Sequence, residues 1–149
     1  MNVDVFTGAV FSSLLGLLTY YWTDSSKSRK QRVSTCTIFS AELHSIVKQF
    51  DYNKQVIDDS KTNTDGDKEI DIDKLKIIVY SNNWRGYYSI LSDRLDSEHY
   101  YKISQLYGII ERFNFAIKDM NHYGLDIEIE EFCKWRDEGF YNEIINILE

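Results

Sequence analysis

Trp84, Arg85, Gly86, Tyr87 and Tyr88, followed by His99, Tyr100, Tyr101 and Tyr107, form the densest run of side chains suited to binding a ligand. Aromatic faces offer stacking, tyrosine hydroxyls fix orientation, and Arg85 supplies a positive charge. On this reading Trp84, Arg85, Tyr87 and Tyr88 are a ligand or partner platform, with a small nucleotide-like molecule as the candidate ligand. Core packing competes, because Tyr and Trp also fill small helical cores while their polar tips reach water.

Other chemistry finds little support. His44, His99 and His122 are widely separated and none begins an H-E-x-x-H pair, so no metal site is expected. Asp119 and His122 stand three apart, half of a carboxylate-bridged metal motif that requires a second copy and further Glu ligands. Asn63, Asp65, Gly66, Asp67 and Glu69 partly match a calcium loop. With Gly66 in sixth place, Lys61 and Ile72 fall where an acidic ligand and a bidentate Glu are required, and the match fails. Phosphate cradles and the G-x-S-x-G nucleophile elbow are absent, so neither an enzymatic role nor a cofactor is expected. Cys36 and Cys133 read as free thiols within a core.

Charge narrows the partners. Of 17 Lys and Arg, four (Lys27, Arg29, Lys30 and Arg32) stand within six residues, leaving 13 from Val33 onward; of 24 Asp and Glu, Asp4 and Asp24 precede Val33, leaving 22. An acidic body without a second basic cluster repels phosphate backbones, so nucleic acid is not an expected partner.

The basic cluster follows an uncharged run of 18 residues, Val5 to Trp22, which approaches the minimum span of a bilayer core. It ends on Tyr20, Tyr21 and Trp22, side chains that favour the membrane interface, and Lys27, Arg29, Lys30 and Arg32 then place the following chain on the cytoplasmic side. The expectation is an N-terminal transmembrane anchor over residues 1–26, with the N-terminus out, in the inner membrane as a single pass. A cytoplasmic helical bundle over 27–149 follows it. Gly8, Ser12 and Gly16, at i, i+4 and i+8, line small residues along one face and suggest association of the spans into a homo-oligomer. A core helix of a soluble protein is the alternative.

Proline is absent and glycine numbers seven, so helices are the default. The expected class is all-α, with two long antiparallel helices. The first carries a seam of Cys36, Phe39, Leu43, Ile46, Phe50 and Ile57, with Asn53 as its one polar member, and is predicted to continue unbroken from the membrane segment. Asp58 to Asp67 reads as a loop. Ile70 to Tyr80 is ambiguous and is assigned a short helix, with another over Trp84 to Leu91. Asp96 or Ser97 caps the second long helix, whose seam is Ile103, Leu106, Ile110, Phe113, Ile117 and Met120. Gly124 is its predicted left-handed stop, and two amphipathic pieces divided near Gly139 close the bundle.

With its uncharged span, basic flank, the segment SAELHSIVKQF and the later SDRLDSEHYYKISQLYGIIERFN, the chain resembles small bacterial single-span membrane proteins with a cytoplasmic helical domain. The resemblance is architectural and carries no catalytic residue across. It implies a non-enzymatic membrane-anchored interaction or effector protein, of a plan that includes accessory or effector components of phage defence. The expected partners are the lipid bilayer, a second copy and a cytoplasmic protein. A membrane-linked sensor of a nucleotide-like ligand, and a soluble regulatory module, are the alternatives.

Overall fold

A seam of apolar residues every three or four positions must lie along one side of a helix, and neither proline nor a cluster of glycines stops the chain before Asp58. The structure, a computed structural model, describes the backbone of residues 3–62 and 68–149 and the side chains of 15–60, 70–121 and 123–149. It shows one continuous helix, α1 (Val3–Asp58), of 56 residues, which at 1.5 Å per residue is about 84 Å long. Two two-residue strands, Lys61–Thr62 and Lys68–Glu69, pair antiparallel after it. Then come α2 (Trp84–Leu91), α3 (Ser97–Lys118), α4 (His122–Asp137) and α5 (Phe140–Leu148), making five α-helices among the described residues.

Side-chain pairs fix the directions of these elements. Glu42 meets Tyr107 and Phe50 meets Phe113, so residue numbers rise together and α1 and α3 run parallel. The expected antiparallel pairing of the two long helices is therefore wrong. The chain returns along α1 before α3 begins: Asn53 meets Lys76, Gln49 meets Val79, Phe39 meets Tyr87 and Arg32 meets Asp93. α3 must consequently run the same way as α1. The true antiparallel partner of both is α4, through Asp51 and Arg136 against α1, and Lys102–Glu138 and Arg112–Glu128 against α3.

Residues 70–80 are not a helix either. One 3-10 turn, Ile72–Lys74, is followed by extended chain, lying in the groove between α1 and α3 with Ile78 buried. Its backbone is held by side-chain amides instead of a neighbouring strand. Asn53 accepts from Lys76 N–H and donates to Lys76 C=O, both at 2.8 Å. Asn114 does the same for Ile78 at 2.8 and 2.9 Å, and Gln49 accepts from Val79 N–H at 2.9 Å. A carboxamide carries the donor and acceptor of a peptide group, so each satisfies a segment that would otherwise hold unpaired polar atoms against the core.

The core centres on Phe50, stacked on Phe132 at 3.9 Å and tilted against Phe113 at 5.3 Å. Asp96 caps α3, accepting from Glu98 N–H and His99 N–H, which holds its carboxyl below the usual range, chiefly through the His99 backbone bond. The helix ends differently from expectation. Gly124 lies inside α4, and the left-handed residue is Met120, at φ 52° and exposed. Asn121 supplies the reason: its side chain accepts from Gly124 N–H at 3.0 Å, so it serves as N-cap of α4 and the reversal falls on the residue before it. Gly124 is there for closeness, since an added Cβ would stand 3.1 Å from Asn121 Nδ2 and 3.3 Å from Ala116 Cβ. Gly139, at φ 86°, divides α4 from α5.

Candidate functional site

The four platform residues lie together on α2, but their rings face inward. Trp84 is buried, stacked on Tyr107 at 5.2 Å and tilted against Tyr100 at 5.4 Å. Tyr87 packs on Phe39, and Tyr88 packs on Tyr100 while its hydroxyl donates to the Asp96 carbonyl. Arg85 alone is exposed, its guanidinium 5.1 Å from the Trp84 ring. Ring faces that could receive a ligand are thus occupied by other rings of the same chain. Tyr107 anchors the cluster by donating to Glu42 Oε1 at 2.7 Å, and Glu42 also accepts from Ser81 N–H at 2.9 Å. Burial, and after it the Glu42 carboxylate, pushes the Tyr107 phenol well above the usual tyrosine range.

His99 has one feature of a catalytic base without the rest. Its Nδ1 stands 2.7 Å from Asp96 Oδ1, while its Nε2 is buried without a hydrogen-bond partner, 3.5 Å from Glu143 Oε1. No hydroxyl or thiol among the described residues bonds to that nitrogen, so the pair works here as a helix cap. Asp119 ends α3 and the side chain of His122 lies outside the described residues. The calcium-like residues 63–67 also lie outside them. Cys36 is buried and Cys133 half-buried, both unbridged; burial raises the Cys133 thiol.

No known protein family, curated protein or solved structure matches this chain. Two surfaces of the described chain are left uncovered by its own fold.

The first is the N-terminal half of α1. From Leu15 to Ser34 the side chains are exposed, Ser28 partly excepted, and the first buried residue among those described on the helix is Thr35. Leu15, Leu17, Leu18, Tyr20, Tyr21 and Trp22 all face outward, Leu18 at 65% and Trp22 at 81% exposure. At about 100° per residue these six positions cover most of the circumference. The remaining arc carries Gly16, Thr19 and Thr23, whose hydroxyls bond back to the carbonyls of Leu15 and Thr19, and a Cβ on Gly16 would meet nothing within 4 Å. Positions 8 and 12 share that arc by helical period, but the side chains of Gly8 and Ser12 lie outside the described residues. Beyond the aromatics, Lys27, Arg29, Lys30 and Arg32 are distributed around the helix. Arg32 reaches Asp93 at 2.5 Å, whereas the other three have no acidic partner among the described residues.

Among the described residues no helix is long and apolar enough to cross a membrane. The transmembrane helix expected over Val5 to Trp22 is therefore not supported. The described part of that run, Leu15 to Trp22, holds three leucines, Gly16 and Thr19 before its three aromatics, and the first ten residues of the run lie outside the described side chains.

The second uncovered surface was not foreseen. Phe115 stands off the α3 seam and is 66% exposed; with Ile77 and Val79, 45% and 74% exposed, it borders a cleft of about 460 Å³ on the outer side of the extended segment. Glu111 and Lys118, one turn to either side of Phe115, complete its rim. Their spacing of i, i+4 and i+7 was a usable signal, since it puts an aromatic between opposite charges on one helix face.

Proposed function

We propose that this chain is a non-enzymatic, membrane-attached interaction protein, in which the N-terminal half of α1 enters lipid and the five-helix body is presented to a partner on the cytoplasmic side. The single observation that carries it is the ring of leucine and aromatic side chains at Leu15 to Trp22 that no other part of the described chain touches. An apolar stripe on one side of a helix asks for a protein neighbour, whereas apolar residues on most of its circumference suit a surrounding solvent of hydrocarbon. The aromatics come next and the basic collar last, which is the order of a bilayer's core, interface and anionic headgroups. The uncharged residues from Val5 to Leu14 extend the same pattern in sequence.

Flotation with vesicles tests this. The full chain is expected to float with vesicles containing phosphatidylglycerol, and a Leu17→Lys, Leu18→Lys double variant to remain at the bottom with its helix content unchanged by circular dichroism. Replacing Lys27, Arg29 and Lys30 by Glu is expected to weaken attachment to anionic vesicles more than to neutral ones. Recovery of the unaltered chain in the lipid-free fraction with both vesicle types overturns the reading.

A further inference from the structure

We infer that the face of α3 centred on Phe115 is a two-fold self-association surface, on which a second copy of this chain docks with its α3 antiparallel. Ile77, Val79 and Phe115 border one cleft, and Asn114, which also lines it, holds Ile78 by two hydrogen bonds and so keeps the extended segment in place. An exposed aromatic and two exposed aliphatic side chains around one cleft, with Glu111 and Lys118 at its edge, have the composition of an interface centre with a polar rim.

The charges identify the occupant. Glu111 and Lys118 lie at equal distances in sequence from the midpoint between Asn114 and Phe115. A two-fold axis through that point places Glu111 of each copy opposite Lys118 of the other, and brings the two Phe115 rings together at the axis. A parallel arrangement would instead oppose Glu111 to Glu111 and Lys118 to Lys118. Neither charge has an ion-pair partner among the described residues of its own chain. Glu111 instead faces the Tyr80 phenol, which burial and then this carboxylate raise above the usual tyrosine range. The surface is thus complementary to itself in one orientation only.

In each copy α1 and α3 run parallel. Pairing α3 antiparallel sends the two N-terminal helices away from opposite ends of the dimer, so a dimer attached to lipid as proposed above would join two facing bilayers. The docking surface itself rests on α3 and the extended segment and stands without that reading.

Sedimentation equilibrium of the full chain in density-matched detergent, with charge exchange, provides the test. The unaltered chain is expected to show a reversible dimer. Glu111→Lys alone, or Lys118→Glu alone, sets like charges opposite one another twice in the symmetric dimer and is expected to weaken it about tenfold or more. The Glu111→Lys, Lys118→Glu double variant is expected to restore dimerisation, and Phe115→Asp to abolish it with the thermal unfolding of the monomer little changed. A chain that is monomeric at every concentration, a dimer indifferent to Phe115→Asp, or a double variant no better than either single one overturns the inference.

Discussion

The two halves of α1 share one unbroken backbone and differ in what surrounds them. From Thr35 to Ile57 the seam is closed by α2, α3, α4, α5 and the extended segment, with Phe39, Leu43, Ile46, Phe50 and Asn53 fully buried. From Leu15 to Ser34 no element of the described chain reaches the helix until Arg32 meets Asp93. Helix propensity and the absence of proline act alike on both, so helix formation alone cannot explain the protein. The body half is stabilised by its own chain, and the outer half needs stabilisation from elsewhere. This comparison yields an ordered set of expectations, because a substitution in the body should be felt in the folding of the isolated chain and one in the outer half should not.

Phe50→Ala should break the body most severely. It removes a ring stacked on Phe132 and touching Phe113, where three elements converge, and leaves a cavity that large neighbours fill poorly. The expected loss is about 4 kcal/mol in urea denaturation. Asn53→Ala is next, at about 2 kcal/mol, because a fully buried carboxamide is removed and the Lys76 N–H and C=O, in part-buried bonds, each lose their partner. A small change at Asn53 would mean that the extended segment detaches easily, and would weaken the account of how Ile77 and Val79 are presented beside Phe115.

These two residues also show what the sequence could and could not reveal. Phe50 is legible because burial on a helix demands a period, and the seams from Cys36 to Ile57 and from Ile103 to Ile117 identify the buried faces directly. A seam has no arrow, however: the same spacing serves parallel and antiparallel neighbours, and the long stretch between α1 and α3 permits either. The direction of α3 relative to α1 is therefore not encoded in the seams. Asn53 was conspicuous as the one polar member of its seam, but its partner was hidden, since a side-chain amide can replace a strand neighbour without leaving any spacing rule. For the same reason residues 75–80 carry no clear strand pattern, being paired with Gln49, Asn53 and Asn114 instead of a ladder. The aromatic platform illustrates a further limit. Composition marks Trp84, Tyr87 and Tyr88 as an aromatic cluster, while the fold turns their rings onto Tyr107, Phe39 and Tyr100.

Tyr107→Phe isolates the polar contact that joins α3 to α1. The ring remains to stack on Trp84 and only the bond to Glu42 is lost, so about 1.5 kcal/mol is expected. The substitution also carries a signature in pH. The folded protein raises the Tyr107 phenol above its unfolded value of 10.0, so the folded state keeps its proton where the unfolded state has released it. That contribution is fully present below pH 10 and falls away as pH rises further. Stability measured from pH 8 to 11 should therefore decline more steeply for the unaltered chain than for Tyr107→Phe. Equal slopes would show that the alkaline loss comes from other tyrosines.

The smallest effect is expected in the outer half, and it sharpens the comparison most. Thr19→Val removes a hydroxyl that bonds only to the Leu15 carbonyl of its own helix, at an exposed position facing the arc shared with Gly16 and Thr23. In the folding of the body this should register within about 0.5 kcal/mol, since no buried group loses a partner. The added methyl should instead favour transfer of the helix into lipid, raising the fraction of chain that floats with vesicles. The two measurements must move independently for the division of α1 to hold. If Thr19→Val lowered the unfolding midpoint as Asn53→Ala does, the outer half would belong to the same cooperative unit as the body, and its exposed leucines would have to be explained by contacts within the chain.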